Sequence, residues 1–166
     1  MKYGEAKERY LQAWGSLGSS WGVSRTMAQV HALLMISTQP VSTEEIMEEL
    51  SISRGNVNMN VRALIDWGLA EKVFVPGERK EFFRTDKDIT NLAVQVAKER
   101  KKRELEPILK VLSEVNSVEG DSHEVEEFRK VTTDLHQFAS QSDMVLERFI
   151  NQKSNWFLKI LGKLTK

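Results

Sequence analysis

The sequence contains no cysteine. That absence removes disulfide bridges, thiolate nucleophiles, thiol redox sensing and cysteine-based zinc sites together, and it fits a reducing, cytoplasmic setting. An excess of one charge sign is missing too: 24 basic residues balance 24 acidic ones. A nucleic-acid binder ordinarily advertises a basic excess, so such a function must rest on local arrangement of charge. No apolar run approaches the roughly 20 residues needed to span a bilayer. The opening MKYGEAKERYLQAWG is charged and amphipathic without the apolar core of a secretory signal, so neither membrane nor export is expected. Activated serine, paired-carboxylate motif and phosphate-cradling glycine loop are all lacking. Histidine is confined to His31, His123 and His136, and HEVEE is better explained by surface polarity than by metal binding. The expectation is a protein with no catalytic residues, no cofactor and no metal, and not an enzyme.

What is present is ordinary for a globular chain: 166 residues, 40% hydrophobic and 29% charged. That is enough for one domain or for two small lobes sharing a core. Residues 2–14 read as a first helix, with Tyr3, Ala6, Tyr10, Ala13 and Trp14 near one face. The glycine- and serine-rich 15–24 reads as a connection. Ser24 is placed to cap a second helix ending near Ile36, with Met27, Val30 and Leu34 at helical spacing. After Pro40, Ser42 and Glu45 form a capping box for a short third helix that turns Ile46 and Leu50 inward. Ser51 and Ile52 make a tight turn, and Ser53 caps a fourth helix closed by Gly68.

That fourth helix is the informative one. Asn56, Asn58 and Asn60 alternate with Val57, Met59 and Val61 as in a strand, yet Val57, Val61 and Leu64, with Ile65 at the edge, share a helical stripe. Glycine and asparagine are poor helix formers, glycine by ~1 kcal/mol relative to alanine. The side opposite the stripe carries Gly55, Asn58, Met59 and Arg62, flanked by Arg54 and Asn56 near the capping Ser53. Asparagine pairs bidentately with adenine and arginine with guanine, and free N–H groups at a helix start attract phosphate. A DNA-reading surface justifies these choices, whereas each asparagine taken singly is explained as a solvated residue.

Two β-rich runs follow, 70–75 and 81–84, joined by the turn residues PGERK. Helix, helix, tight turn, helix, hairpin is the order of a winged helix-turn-helix. Arg79 and Lys80 at the hairpin tip and Arg84 on the return strand are candidates for phosphates or the minor groove, diluted by Glu78 and Glu81. The acids Glu44, Glu45, Glu48 and Glu49 crowd the third helix and explain how a binding lobe lacks net positive charge.

ISRGNVNMNVRALIDWGL followed by PGERKEFF resembles the MarR-type transcriptional regulators, and specifically their GbsR branch, named for a choline-responsive repressor of glycine betaine synthesis genes. The match runs from about Gly22 to Arg84; Asn58 stands where the family often has serine. The resemblance implies a homodimeric repressor with winged helix-turn-helix lobes, dimerised through terminal helices, whose effector varies between members.

Residues 88 onward read as helical again. Ile89, Leu92 and Val96 make a stripe that lapses over KERKKRE, which reads as a solvated bridge with pairs from Glu99 to Arg103 and from Lys101 to Glu104. Pro107 kinks or restarts the helix. Residues 125–150 show a near-heptad seam: Phe128, Leu135, Ser142 and Phe149 alternate with Val125, Thr132, Ala139 and Leu146, widened by Val131, Phe138 and Val145. NWFLKILGKLTK is a short amphipathic tail. The expected fold is mainly α with a small β-hairpin wing: an N-terminal helix contributing to dimerisation (1–20), a winged helix-turn-helix DNA-binding domain (21–87) and a helical dimerisation region (88–166). The expected partners are double-stranded DNA, a second copy of the chain and a small organic effector. Trp14 and Trp21 are candidates for an aromatic cage around a quaternary ammonium ligand, against the alternative of plain packing. A winged-helix protein-interaction module that never meets DNA is the competing function. Net neutrality favours it slightly, and the Asn/Arg face and basic wing favour DNA more.

Overall fold

The computed structural model describes residues 1–151; the tail from residue 155 and Trp156 lie outside them. Seven α-helices and three short strands follow in order: α1 (Tyr3–Ser20), α2 (Arg25–Ile36), β1 (Val41–Ser42), α3 (Thr43–Leu50), α4 (Arg54–Asp66), β2 (Glu71–Val73), β3 (Phe82–Arg84), α5 (Ile89–Arg100), α6 (Glu106–Val115) and α7 (His123–Asn151). A π-helical turn, Lys101–Leu105, joins α5 to α6. Met1–Leu92 form one compact unit and Ala93 begins a second. Among the described residues no helix is long and apolar enough to cross a membrane, and no three His, Asp or Glu side chains are grouped to hold a metal.

In the first unit local caps set the helix ends, and burial of one stripe per helix sets the packing. Ser24 Oγ accepts from the Met27 amide at 3.0 Å. Ser42 Oγ accepts from the Glu45 amide at 3.2 Å while Glu45 Oε2 accepts from the Ser42 amide at 2.7 Å, completing the capping box. Ser51 takes a left-handed conformation, φ 52°, and Ser53 Oγ then receives the Asn56 amide at 3.3 Å. Val30, Leu33, Ile46, Val57, Val61 and Leu64 are essentially solvent-free and form the core where α2, α3 and α4 pack together. His31 is buried among them, and burial lowers its pKa to about 4, so the ring is neutral. Its Nε2 lies 3.3 Å from Thr85 Oγ1, which donates to the Leu69 carbonyl at 2.6 Å.

Helix α1 does not stop at Trp14. It runs on through the stretch expected to be a connection, because Gly15 and Gly18 are buried where α1 crosses α2. A Cβ at residue 18 would lie 2.3 Å from Ala28 Cβ, so the absent side chain is what lets the two backbones approach. The buried stripe of α1 is accordingly Leu11, Gly15 and Gly18, while Tyr3, Ala6 and Ala13, expected on the apolar face, are exposed in the single chain.

The hairpin is there, β2 pairing with β3 from Glu71↔Arg84 to Val73↔Phe82. A third strand was not legible: β1 pairs antiparallel with β3, giving the order β1-β3-β2. Two residues are too short to show any periodicity, and the pairing is fixed by tertiary contact instead.

In the second unit the chain stays helical through Pro107, which stands in the first turn of α6 directly after the π-helical turn. Proline clashes with the carbonyl four residues earlier and has no N–H to give it. The widened turn before it, marked by the Glu106 amide bonding the Lys101 carbonyl, absorbs that conflict. The basic run is not simply a solvated bridge. Glu99 is buried and receives Arg103 Nε at 3.0 Å, as expected. The expected Lys101–Glu104 pair is absent, since Arg100 approaches Glu104 at 3.3 Å and Lys101 turns inward, its side chain only 13% exposed. Lys101 Nζ lies 3.3 Å from Glu106, 3.2 Å from Asp143 and 2.9 Å from Glu147. On α7 one seam packs, with Thr132 and Ala139 buried and Val125 and Leu146 half-buried. Phe128, Val131, Leu135, Phe138 and Val145 remain exposed.

Candidate nucleic-acid interface

Helix α4 is amphipathic in an unusual way. Its inner face is Val57, Asn60, Val61 and Leu64, all buried. Asn60 is therefore not part of any outward surface. Its Oδ1 accepts from Ser24 Oγ at 2.9 Å, and its Nδ2 donates to the Asn56 carbonyl at 2.8 Å and to Asn56 Oδ1 at 2.6 Å. One asparagine thus ties α4 to the cap of α2, with acceptor and donors all satisfied. Its position three and four residues from Val57 and Leu64 was the available signal for burial.

The outer face follows at i, i+4 and i+7: Gly55, Met59 and Arg62 are exposed, with Asn58 half-buried at the flank. Nothing lies within 4 Å of a Cβ built on Gly55. Arg62 has no hydrogen bond or ion pair among the described residues, and Met59 is 64% exposed. Ser53, expected at a contact, is exposed and also serves as the cap. Beyond the Asn56 amide that Ser53 receives, the amides of Arg54 and Gly55 open the helix, where the dipole favours an anion. Asn56 is half-buried and its side chain is held by Asn60. Arg54 reaches back to α3, its Nη2 donating to Glu44 Oε1 at 2.7 Å. That bond is the main reason the Glu44 carboxyl sits below the usual carboxylate range. Both groups are well exposed, so the pair is weak and open to exchange.

The wing is built from a tight turn. Pro76 and Gly77 occupy its central positions, Gly77 at φ 84°, and the Glu78 amide donates to the Val75 carbonyl at 3.1 Å. Pro at the first and a positive-φ glycine at the second central position describe a type II turn. Arg79 and Lys80 follow, both exposed. Arg79 has no partner among the described residues, whereas Lys80 feels the carboxylates of Glu44 and Glu45. Arg84 is committed across the hairpin, Nε to Glu71 Oε1 at 2.6 Å, and Lys72 likewise pairs with Glu81. Among the described residues, the cations of this face without a partner are Arg62 and Arg79.

Trp14 is half-buried beside Tyr10, ring centroids 5.5 Å apart, and Trp21 is 54% exposed just after α1. A cleft of about 550 Å³ opens elsewhere on the first unit, lined by Tyr3, Lys7, Leu11, Gln29, Glu49 and Leu50 among others, and neither tryptophan lines it. Lys7 and Glu49 pair across its mouth at 2.6 Å.

Residues 21–81 match the MarR family. The chain is 24% identical over 84 residues to the putative HTH-type transcriptional regulator YvaV of Bacillus subtilis (strain 168), covering 51% of this chain and 48% of that protein. It is 26% identical over 83 residues to the HTH-type transcriptional repressor OpcR of the same strain, covering 50% and 45%. Over 52 residues it is 36% identical to the HTH-type transcriptional regulator MmpR5 of Mycobacterium tuberculosis (strain ATCC 25618 / H37Rv), covering 31% and 32%. These matches span about half, or less, of each relative's length. The crystal structure of a transcriptional regulator, 19% identical, aligns with a TM-score of 0.56 over 89% of this chain and 99% of that one, and shares its fold.

Proposed function

We propose that this chain, of the MarR family by its residues 21–81, is a sequence-specific DNA-binding transcriptional regulator acting in the cytoplasm as a homodimeric repressor. The observation that carries the reading is the division of α4. Its inner face is buried, with Asn60 fully hydrogen-bonded, while Gly55, Met59 and Arg62 face outward with Asn58 at the flank, and Arg62 has no partner among the described residues. In a helix-turn-helix that outer face enters the major groove, and the wing meets the flanking backbone. The GbsR branch is the finer placement, supported by the stretch from Ile52 to Leu69 and by the PGERKEFF wing.

Dimerisation is supported by the row Phe128, Val131, Leu135, Phe138 and Val145, whose exposure on one long helix exceeds what a lone surface helix carries. With two copies about a twofold axis, the half-sites lie about one helical turn, roughly 10 bp, apart. A small organic effector, a quaternary ammonium by resemblance, with Trp14 and Trp21 as its candidate contacts, is the regulatory part of the proposal. Titrating tryptophan fluorescence with choline and betaine alongside gel shifts tests that part separately.

Selection of bound duplexes from a random pool tests the core of the reading, and an inverted repeat is the expected product. Arg62→Ala should then relax base preference by about 1–3 kcal/mol at one position per half-site. Arg79→Ala should weaken all sequences alike and reduce the salt slope by roughly one. A folded protein that enriches no duplex, yet captures a protein through the same face, would instead be a winged-helix interaction module.

A further inference from the structure

The wing holds a residue that the reading above leaves unused. Phe74, directly after β2, is 83% exposed, more than any other large apolar side chain among the described residues. Its neighbours Val73 and Val75 are half-buried, and Phe83 on the partner strand is buried, so the hairpin is anchored without it. A bare ring also stands at the end of an edge strand, since β2 lies outermost in the order β1-β3-β2. Edge strands ordinarily blunt such positions with charge, as Lys72 does two residues earlier.

We propose that Phe74 is the apolar contact of the wing with DNA, its ring packing against deoxyribose and base edges in the minor groove that flanks the site read by α4. The proposal rests on the DNA-binding reading above. Its occupant follows from charge: the same hairpin carries Arg79, without a partner among the described residues, and Lys80, against Glu78 and against Glu81, which already pairs with Lys72. A polyanion whose groove walls are apolar sugars satisfies a ring and cations together, whereas an apolar protein groove would leave the cations unmatched. Proteins that enter the minor groove combine these two kinds of side chain, basic ones on the backbone and an apolar wedge at a base step.

The test uses the full chain and the duplex that the unaltered protein itself enriches from a random pool. Phe74→Ala should melt at the same temperature and weaken binding about tenfold, within the range of an aromatic–base contact. The salt slope should not change, because no phosphate contact is lost. Hydroxyl-radical protection of the flanking minor-groove sugars should disappear while the same inverted repeat is selected, and Phe74→Leu should keep part of the affinity. Unaltered affinity and footprint in Phe74→Ala overturn the proposal. So does a smaller sedimenting species, which assigns the ring to a subunit contact. If the unaltered protein enriches no duplex at all, the DNA-binding reading itself fails, and the assignment of Phe74 fails with it.

Discussion

Replacing Gly18 by alanine asks whether the α1–α2 seam is held open by a missing methyl group. The new Cβ would lie 2.3 Å from Ala28 Cβ and 3.1 Å from Val23 Cγ2. Carbon atoms prefer about 3.5–4.0 Å, and Ala28 Cβ is fixed to its backbone, so relief requires the helices to part. Overpacking of this kind costs about 1–3 kcal/mol. Alanine in place of glycine returns ~1 kcal/mol of helix propensity. A contact this short belongs at the upper end of the overpacking range, leaving a net loss of about 1–2 kcal/mol. Gly15 is the internal control. There the nearest atoms are Gln29 Cγ at 2.8 Å and Arg25 Cγ at 3.0 Å, on flexible side chains that can swing aside. Gly15→Ala should therefore be within about 0.5 kcal/mol of the unaltered protein, or more stable. Urea titration followed by circular dichroism, at fixed protein concentration, reads both. The double variant Gly18→Ala/Ala28→Gly should be more stable than the sum of its single changes predicts. Equal stability of Gly18→Ala and the unaltered chain, or strict additivity in the double variant, would refute the seam as described.

Three further outcomes are expected. His31 is buried with its pKa lowered from 6.5 to about 4, so the unfolded chain binds the proton first; stability is full above pH 6.5 and should fall by about 2 kcal/mol on going to pH 5. His31→Gln should lose that part of the slope in urea titrations at the two pH values. Lys101→Met should leave Glu106, Asp143 and Glu147 facing one another and lower the melting temperature by several degrees at pH 7. Because Lys101 is what holds the Glu147 carboxyl below its ordinary range, the stability it gives is present above about pH 4.5 and lost below, so the deficit should shrink in acid. Asn60→Ala removes the acceptor of Ser24 and should cost about 1–3 kcal/mol by the same urea assay.

Local chemistry made much of the first unit legible. Ser24, Ser42 with Glu45, and Ser53 name three helix starts because a cap is a short-range hydrogen bond between residues at most three apart. Pro76–Gly77 named the wing's turn for the same reason. What the sequence hid depends on distant partners. Gly15 and Gly18 look like linker residues until α2 lies against them, and β1 exists only because β3 passes beside it. Arg54 and Arg84 look as available as Arg62 and Arg79 until Glu44 and Glu71 are seen beside them. Lys101 reads as one more cation in a basic run, and its carboxylates on α7 lie some 40 residues further on.

The bond from Asn60 to Ser24 has a consequence for how such chains diversify. The face of α4 that fixes its place in the fold and the face it presents outward share no side chain among Asn60, Val57, Val61 and Leu64 on one hand and Met59 and Arg62 on the other. A duplicated copy can therefore exchange Asn58, Met59 and Arg62 for other side chains while inheriting the same scaffold intact. On the proposed reading, new DNA addresses are reachable by substitutions on this outer side, while Asn60, bonded to Ser24, stays in place.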